Sequence, residues 1–193
     1  MYKQSIGTPV TVNEAQTMNR EELIKRIKET AYLEGDFILR SGKQSKYYLD
    51  KYLFETCPDI LKALGEEFAR YVTDDVTLIA GAELGGVALA AATAMQTGKN
   101  FCIIRKGKKG YGTDRLVEGV LTPDDVVLLV EDVATTGGAV LDAARVITEA
   151  GATVKKIVCV LDRKQGAEEN ITQAGYKFES ILTKDDLGIK DTD

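Results

Sequence analysis

The stretch VVLLVEDVATTGGAV, residues 126–140, carries an apolar run into two adjacent acids and then into small residues. Glu131 and Asp132 offer carboxylate oxygens that accept hydrogen bonds, the chemistry that holds a pair of sugar hydroxyls. Thr135 and Thr136 add hydroxyl donors, and Gly137 and Gly138 let the backbone turn tightly and approach a ligand closely. Where such a turn opens a helix, the free N–H groups and the helix dipole make a seat for an anion. Acceptors for a diol beside donors for a phosphate suit a ribose 5-phosphate. The plainer alternative is that the acids only place negative charge before the next helix. The succession of apolar run, acid pair and TTGG weighs toward a ligand.

Two other segments have the composition of anion sites. AGAELGGVALA, residues 80–90, follows a short apolar run and opens a helical pattern, so its small residues make a second possible seat, although a closely packed helix start would also call for glycine. RKGKKGYGTDR, residues 105–115, sets Arg105, Lys106, Lys108, Lys109 and Arg115 among three glycines. So much like charge is costly to order alone and becomes favourable over a polyanion such as pyrophosphate. A solvated surface loop is the alternative, and the position of the segment directly after a strand favours function.

The elements that must hold these segments follow from periodicity. NREELIKRIKETAYLEG has an Asn19 cap, acids in its first turn and apolar residues at helical spacing, with a stop expected at Gly35. DFILRSGKQSKYYLDKYLF, with a turn at Ser41-Gly42, reads as a β-hairpin. Pro58 opens a second amphipathic helix running to Val72. From there continuous apolar runs at 76–80, 101–105, 126–131 and 154–162 alternate with helical patterns beginning GGVALAA and GGAVLDAA. RLVEGVL and YKFESILT read as further strands, the second at a sheet edge. Strands of this kind alternating with helices specify an α/β fold, with a mostly parallel central sheet flanked by helices. Ligands in such folds sit where strand C-terminal ends meet helix N-termini, which is where the acid pair falls. Glu131 and Asp132 are expected at the point where the chain leaves the sheet and turns both acids toward a crevice.

Composition removes several chemistries. The chain has 193 residues and 44% hydrophobic content, enough for one domain with a full core. A net charge of −5 disfavours a nucleic-acid partner, which requires a concentrated basic face. Histidine is absent, which excludes Ser-His triads and HExxH zinc sites. Cys57, Cys102 and Cys159 are widely spaced and read as free thiols of a reducing compartment. With neither a signal-peptide pattern nor a run long enough to span a membrane, a cytoplasmic location and no membrane partner are expected. GxGxxG and GxxxxGK[ST] are both missing.

The motif VVLLVEDVATTGGAV resembles the 5-phosphoribosyl-1-pyrophosphate (PRPP) motif of type I phosphoribosyltransferases. The pattern RKxxKxYGT…VEG narrows the resemblance to orotate phosphoribosyltransferase, as do FILRSGKQSKYYLD and VLDRKQGAEEN. Together these segments cover residues 20 to 170 in the family's order. The resemblance implies the type I fold in a single domain over residues 1–193, with a helix and small N-terminal hood over about 19–57 and a PRPP-binding α/β core over 58–183. It implies transfer of the phosphoribosyl group from PRPP to orotate, giving orotidine 5-monophosphate and pyrophosphate in pyrimidine synthesis, with Mg²⁺ as cofactor. PRPP would be bound by Glu131, Asp132, Val133, Ala134, Thr135, Thr136, Gly137, Gly138 and Ala139. It would also be bound by the pyrophosphate loop Gly81 to Gly86, including Glu83 and Gly85, and by Arg105, Lys106, Lys109 and Tyr111. Lys109 and Asp132 would be the catalytic groups; orotate would meet Arg40, Tyr48, Thr135 and Arg163. Some relatives carry lysine where Gly85 stands and histidine where Tyr111 stands; a tyrosine hydroxyl hydrogen-bonds but is a poor acid near neutrality. A homodimer sharing the 105–115 loop across its interface is implied as well. The rival readings are transfer to another base and a PRPP sensor without catalysis.

Overall fold

The structure is a computed structural model that describes residues 18–38, 44–107 and 116–189. The first helix, α1 (Arg20–Ala31), starts in a capping box: Asn19 Oδ1 accepts from Glu22 N at 3.0 Å and Glu22 Oε2 accepts from Asn19 N at 2.9 Å. It buries Leu23, Ile27 and Ala31 and ends four residues before the expected stop at Gly35. Tyr32 is already extended, because β1 (Tyr32–Ile38) pairs antiparallel with β2 (Gln44–Leu49) from its first residue, Tyr32 opposite Leu49. Gly35 lies in the bulge between Glu34 and Phe37. The two strands of the hairpin therefore pair as expected but stop at Leu49, while the turn expected at Ser41-Gly42 lies outside the described residues. Asp50 then caps a short helix, α2 (Lys51–Glu55), its side chain accepting from Tyr52 N at 3.1 Å. The helix α3 (Pro58–Ala69) follows, shorter at its end than the apolar spacing to Val72 implies.

The remaining chain alternates β3 (Leu78–Ala82), α4 (Gly85–Thr97), β4 (Asn100–Ile104), β5 (Val117–Glu118), β6 (Val126–Ala134), α5 (Gly138–Glu149), β7 (Thr153–Asp162), α6 (Ala167–Gln173) and β8 (Phe178–Thr183). The six strands lie in the order β5-β4-β3-β6-β7-β8, all parallel except β5, which runs antiparallel to β4. The mostly parallel sheet expected from the apolar runs is thus the one observed.

Continuous apolar strands are needed because both faces are covered. Along β6, Leu128 and Val130 enter a core with Leu23, Ile27, Phe54, Leu64, Phe68 and Leu89. Val127 and Leu129 enter the opposite core with Val140, Ala144, Ile147 and Ile171. Leu128 and Leu129 are fully buried, and replacing either by alanine costs about 2–5 kcal/mol. Cys102 and Cys159 are buried free thiols, and Cys57 is a partly exposed one. Among the described residues no helix is long and apolar enough to cross a membrane.

β4 lies on one side of β3 and β6 on the other, so the connections after β3 and after β6 diverge to opposite sides of the sheet. That reversal opens a crevice at the C-terminal ends of β3 and β6, the usual ligand position of an open parallel sheet.

Candidate active site at the β3/β6 switch point

β6 does not leave the sheet at the acid pair. It stays paired with β7 from Val126 to Ala134, Glu131 opposite Cys159 and Val133 opposite Leu161, so the two acids are strand residues rather than loop residues. This corrects the expectation that the chain turns both acids outward: the ladder to β7 runs four residues beyond Val130, the last of the apolar run. Both are buried, at 8% exposure for Glu131 and 2% for Asp132. Glu131 borders a small pocket of about 70 Å³ formed with Val133 and the loop from Ala134 to Val140. Asp132 turns toward α2 and α4, where Lys51 Nζ pairs with its Oδ2. Its Oδ1 accepts from Val133 N. Burial, followed by the charge of Asp132, pushes the Glu131 carboxyl well above the usual range.

The TTGG segment leaves the sheet immediately after Ala134. Gly137 takes the left-handed conformation, φ 81°, and caps α5 without any side-chain hydrogen bond. The N-cap residue therefore leaves the first N–H groups of α5 without a side-chain cap of its own. Thr135, Thr136, Gly138 and Ala139 are exposed. The loop is braced from behind by α6: Asn170 Nδ2 donates to Thr136 O at 2.9 Å, and a Cβ on Gly137 would stand 3.0 Å from Ile171 Cγ1. Hydroxyls, amides and a helix dipole converge on one open concavity beside Glu131, an arrangement suited to a phosphate.

Across the crevice, the segment Gly81 to Gly86 joins β3 to α4. Its glycines are required by close approach: a Cβ on Gly81 would lie 2.2 Å from Gly86 O, one on Gly86 2.8 Å from Val130 O, and one on Gly85 1.5 Å from Asp132 Oδ2. Tight packing and an anion seat are therefore compatible here. The Glu83–Leu84 peptide bond is cis. Glu83 N donates to Ile104 O at 2.8 Å, and Glu83 Oε2 accepts from Lys106 N at 3.2 Å, which fastens the root of the basic segment to this loop. Arg105 donates from Nε to Gly107 O at 3.3 Å and lies 3.7 Å from Glu118 Oε1. Lys106 is exposed beside a cleft of about 430 Å³ that also includes Glu83, Ala139 and Asp142. Arg40, Lys108, Lys109, Tyr111 and Arg115 lie outside the described residues.

The end of β7 completes the crevice. Arg163 N donates to Ala134 O at 2.9 Å, which sets Arg163 beside the acid-bearing strand. Its guanidinium donates to Tyr47 Oη at 3.1 Å and lies 5.9 Å from the Tyr47 ring centre. Neighbouring residues of β2 point to opposite faces, so Tyr48 instead packs against Phe37, ring centres 5.6 Å apart, and stays 43% exposed. The aromatic that reaches Arg163 is thus Tyr47, the neighbour of the motif's Tyr48.

Comparison with known proteins agrees with this geometry. Residues 55–174 match the model of the phosphoribosyl transferase domain. An orotate phosphoribosyltransferase of Methanocella arvoryzae is 41% identical over 167 residues, covering 86% of this chain and 95% of that protein. One of Pyrococcus abyssi is 44% identical over 172 residues, covering 87% and 94%. This chain belongs to the orotate phosphoribosyltransferase family. Among solved structures, the orotate phosphoribosyltransferase of Mycobacterium tuberculosis in complex with PRPP superposes with a TM-score of 0.76 at 28% identity, covering 88% of this chain and 99% of that one.

Beyond the family motifs, the structure brings in side chains that no motif indicated. Lys51 and Glu55, one turn apart on α2, both reach Asp132. Glu55 is 4% exposed, and its Oε1 has no hydrogen-bond partner among the described residues. Burial, with the nearby charge of Asp132, pushes the Glu55 carboxyl up to about 8. Burial works against the Lys51 charge, but the hydrogen bond to Asp132 and its charge more than offset this and raise the Lys51 pKa. The signal available in DKYLFE was an Asp cap followed by Lys and Glu at helical i, i+4 spacing.

Proposed function

We propose that this protein transfers the 5-phosphoribosyl group of PRPP to orotate, forming orotidine 5-monophosphate and releasing pyrophosphate. The observation that carries the reading is the placement of Glu131 and Asp132 between the uncapped start of α5 and the glycine loop before α4. A ribose held by its hydroxyls on the acids would have its 5-phosphate on Thr135, Thr136, Gly137, Gly138 and Ala139, with Val133 and Ala134 as backbone support. Its pyrophosphate would then extend toward Gly81 to Gly86 and the basic segment that begins at Arg105 and Lys106. Support also comes from the family relationship and from the PRPP complex of the M. tuberculosis relative.

Breaking the C1–O bond of PRPP builds positive charge on the ribose ring and negative charge on the departing pyrophosphate. Asp132, beside the ring, favours the first; Lys109, from the basic segment, favours the second, and a well-placed donor of this kind is worth about 3–4 kcal/mol. Orotate N1 forms its bond to C1 as the C1–O bond electrons leave with pyrophosphate, and the N1 proton passes to the released pyrophosphate or to solvent. Arg163 offers a planar two-pronged donor to the orotate carboxylate, and Arg40, Tyr48 and Thr135 complete the base site in the family pattern, with Tyr47 holding Arg163. Tyr111 hydrogen-bonds to PRPP. Mg²⁺ would be held mainly by the phosphate oxygens of PRPP, in keeping with its preference for substrate phosphates plus few carboxylates; among the described residues no group of three or more His, Cys, Asp or Glu is placed to hold an ion alone. When bound, it would supply positive charge to offset that of the leaving group.

The same reading carries a homodimer in which residues 105–115 are shared between protomers, in the cytoplasm. The exposed Met95, Phe101 and Val120 around a groove between α4 and the β4/β5 edge support a second copy as partner. Light scattering should give twice the chain mass.

The test mixes protein, Mg²⁺, PRPP and orotate and follows loss of orotate absorbance, with uracil, adenine and guanine in parallel and Lys109→Ala as control. Turnover of orotate that collapses in the control is expected. Turnover of another base in its place, or equal rates for parent and control, would overturn the assignment.

A further inference from the structure

The helix α2 sets Lys51 against Asp132 at the point where β6 meets the glycine loop. Lys51 Nζ pairs with Asp132 Oδ2, the same oxygen that a side chain on Gly85 would strike at 1.5 Å. The ammonium therefore stands at the junction of the acid pair, the Gly81 to Gly86 loop and the first turn of α4. The two partners differ in access: the Lys51 side chain is 32% exposed and that of Asp132 is 3%. The lysine is thus open to solvent where the carboxylate is not, and its ammonium also lies 5.2 Å from the Tyr52 ring centre.

Position 85 supplies no cation to this loop, being glycine in this chain. Even a methyl group there overlaps Asp132, and the other side chains between Gly81 and Gly86 are Ala82, Glu83 and Leu84, none of them basic. The loop meets a pyrophosphate with N–H groups alone unless charge arrives from another element. Lysine suits that task, being a compact charge on a flexible four-carbon stem that can trade one oxygen partner for another nearby. In the free protein the pair keeps Asp132 from being an uncompensated buried charge. Once ribose hydroxyls donate to Asp132, the lysine is no longer required there.

We propose that Lys51 is a further substrate-contacting cation of this site: on PRPP binding, its ammonium exchanges the Asp132 carboxylate for a pyrophosphate oxygen and frees Asp132 for the ribose hydroxyls. The inference rests on PRPP being the ligand. It also assigns α2 a task in the reaction, because the hood segment then delivers a charge to the half of the site that handles the leaving group.

The experiment titrates inorganic pyrophosphate with Mg²⁺, and separately PRPP with Mg²⁺, into parent, Lys51→Met, Lys51→Arg and Asp132→Asn proteins by calorimetry, with melting temperatures recorded alongside. Loss of a charged hydrogen bond should weaken pyrophosphate binding by Lys51→Met about 10- to 100-fold, with Lys51→Arg recovering most of it. Asp132→Asn releases the ammonium, so it should bind pyrophosphate at least as tightly as the parent while losing affinity for PRPP. In steady state, Lys51→Met should raise the PRPP KM more than the orotate KM. Unchanged pyrophosphate affinity in Lys51→Met, with PRPP affinity lowered, would show that the lysine only positions Asp132 and would overturn the proposal. So would losses for pyrophosphate and orotate that run in parallel with a lowered melting temperature in Lys51→Met and Lys51→Arg alike. If the parent itself binds neither ligand, the functional reading fails with it; if the parent binds both and Lys51→Met is indistinguishable, only the role of Lys51 falls.

Discussion

Gly85→Ala separates the geometry of the site from the stability of the fold. Gly85 begins α4 with a backbone conformation open to any residue, so alanine is acceptable to the helix and favoured by up to about 1 kcal/mol in intrinsic propensity. The added Cβ, however, lands 1.5 Å from Asp132 Oδ2, and the carboxylate must retreat by about 2 Å to reach the 3.4 Å of ordinary contact. Lys51 is paired with that oxygen and moves with it. Overpacking of this size costs about 1–3 kcal/mol, part of which the helix gains back, so the melting temperature should fall modestly. Activity should fall much further. A displacement of 1 Å at a reacting centre can cost about 10²-fold, so kcat/KM for PRPP should drop by at least about that factor, equivalent to roughly 2.7 kcal/mol of barrier. The assay is orotate consumption at varied PRPP, with the melting temperature measured on the same preparation. Gly81→Ala is the contrasting case, since its Cβ meets backbone at 2.2 Å and should cost mainly stability. A Gly85→Ala protein whose kcat/KM stays within about threefold of the parent would refute the placement of Asp132 at the reacting sugar.

Two further outcomes follow from the same side chains. The raised pKa of Glu55, about 8 against an ordinary 4.5, means that its contribution to stability is complete below about 4.5 and is lost as pH rises to about 8. Glu55→Gln removes this slope, so the variant should match the parent near pH 4.5, gain on it as pH climbs toward 8 and hold a constant advantage above; parallel melting curves across that window would contradict a buried, protonated Glu55. Glu131, raised by burial and by Asp132, adds a slope of the same sign in both proteins. Tyr47→Phe removes the acceptor of the Arg163 hydrogen bond, worth about 0.5–1.5 kcal/mol, and should raise the orotate KM about two- to tenfold, while Tyr48→Phe, which keeps the ring, leaves it near the parent value; the reverse pattern would show that the Tyr48 hydroxyl, not that of Tyr47, serves the base site.

Those parts of the fold in which one local pattern dictates one structure were legible in the sequence. The run 126–130 is apolar on both faces because two cores meet at β6, and Gly137 had to allow a left-handed start to α5. What escaped were short or long-range features. Among residues 47–54, aromatic and apolar side chains read as the arm of a hairpin, yet Asp50 ends the strand and five residues make α2. The seven-residue α6 is likewise too short to show a period, although it braces the TTGG loop. The apolar run ends at Val130, whereas pairing with β7 continues to Ala134, since ladder hydrogen bonds do not depend on side-chain polarity. Lys51 and Asp132 are 81 positions apart, and no local spacing announces such a pair.

Calorimetric titration of Mg·PRPP into the parent and into Glu131→Ala/Asp132→Ala, with the fold of both checked by circular dichroism, tests most directly whether the end of β6 grips the sugar. Loss of affinity by at least about 100-fold with the fold retained is the expected result. Binding by the double variant as tight as that of the parent would contradict it.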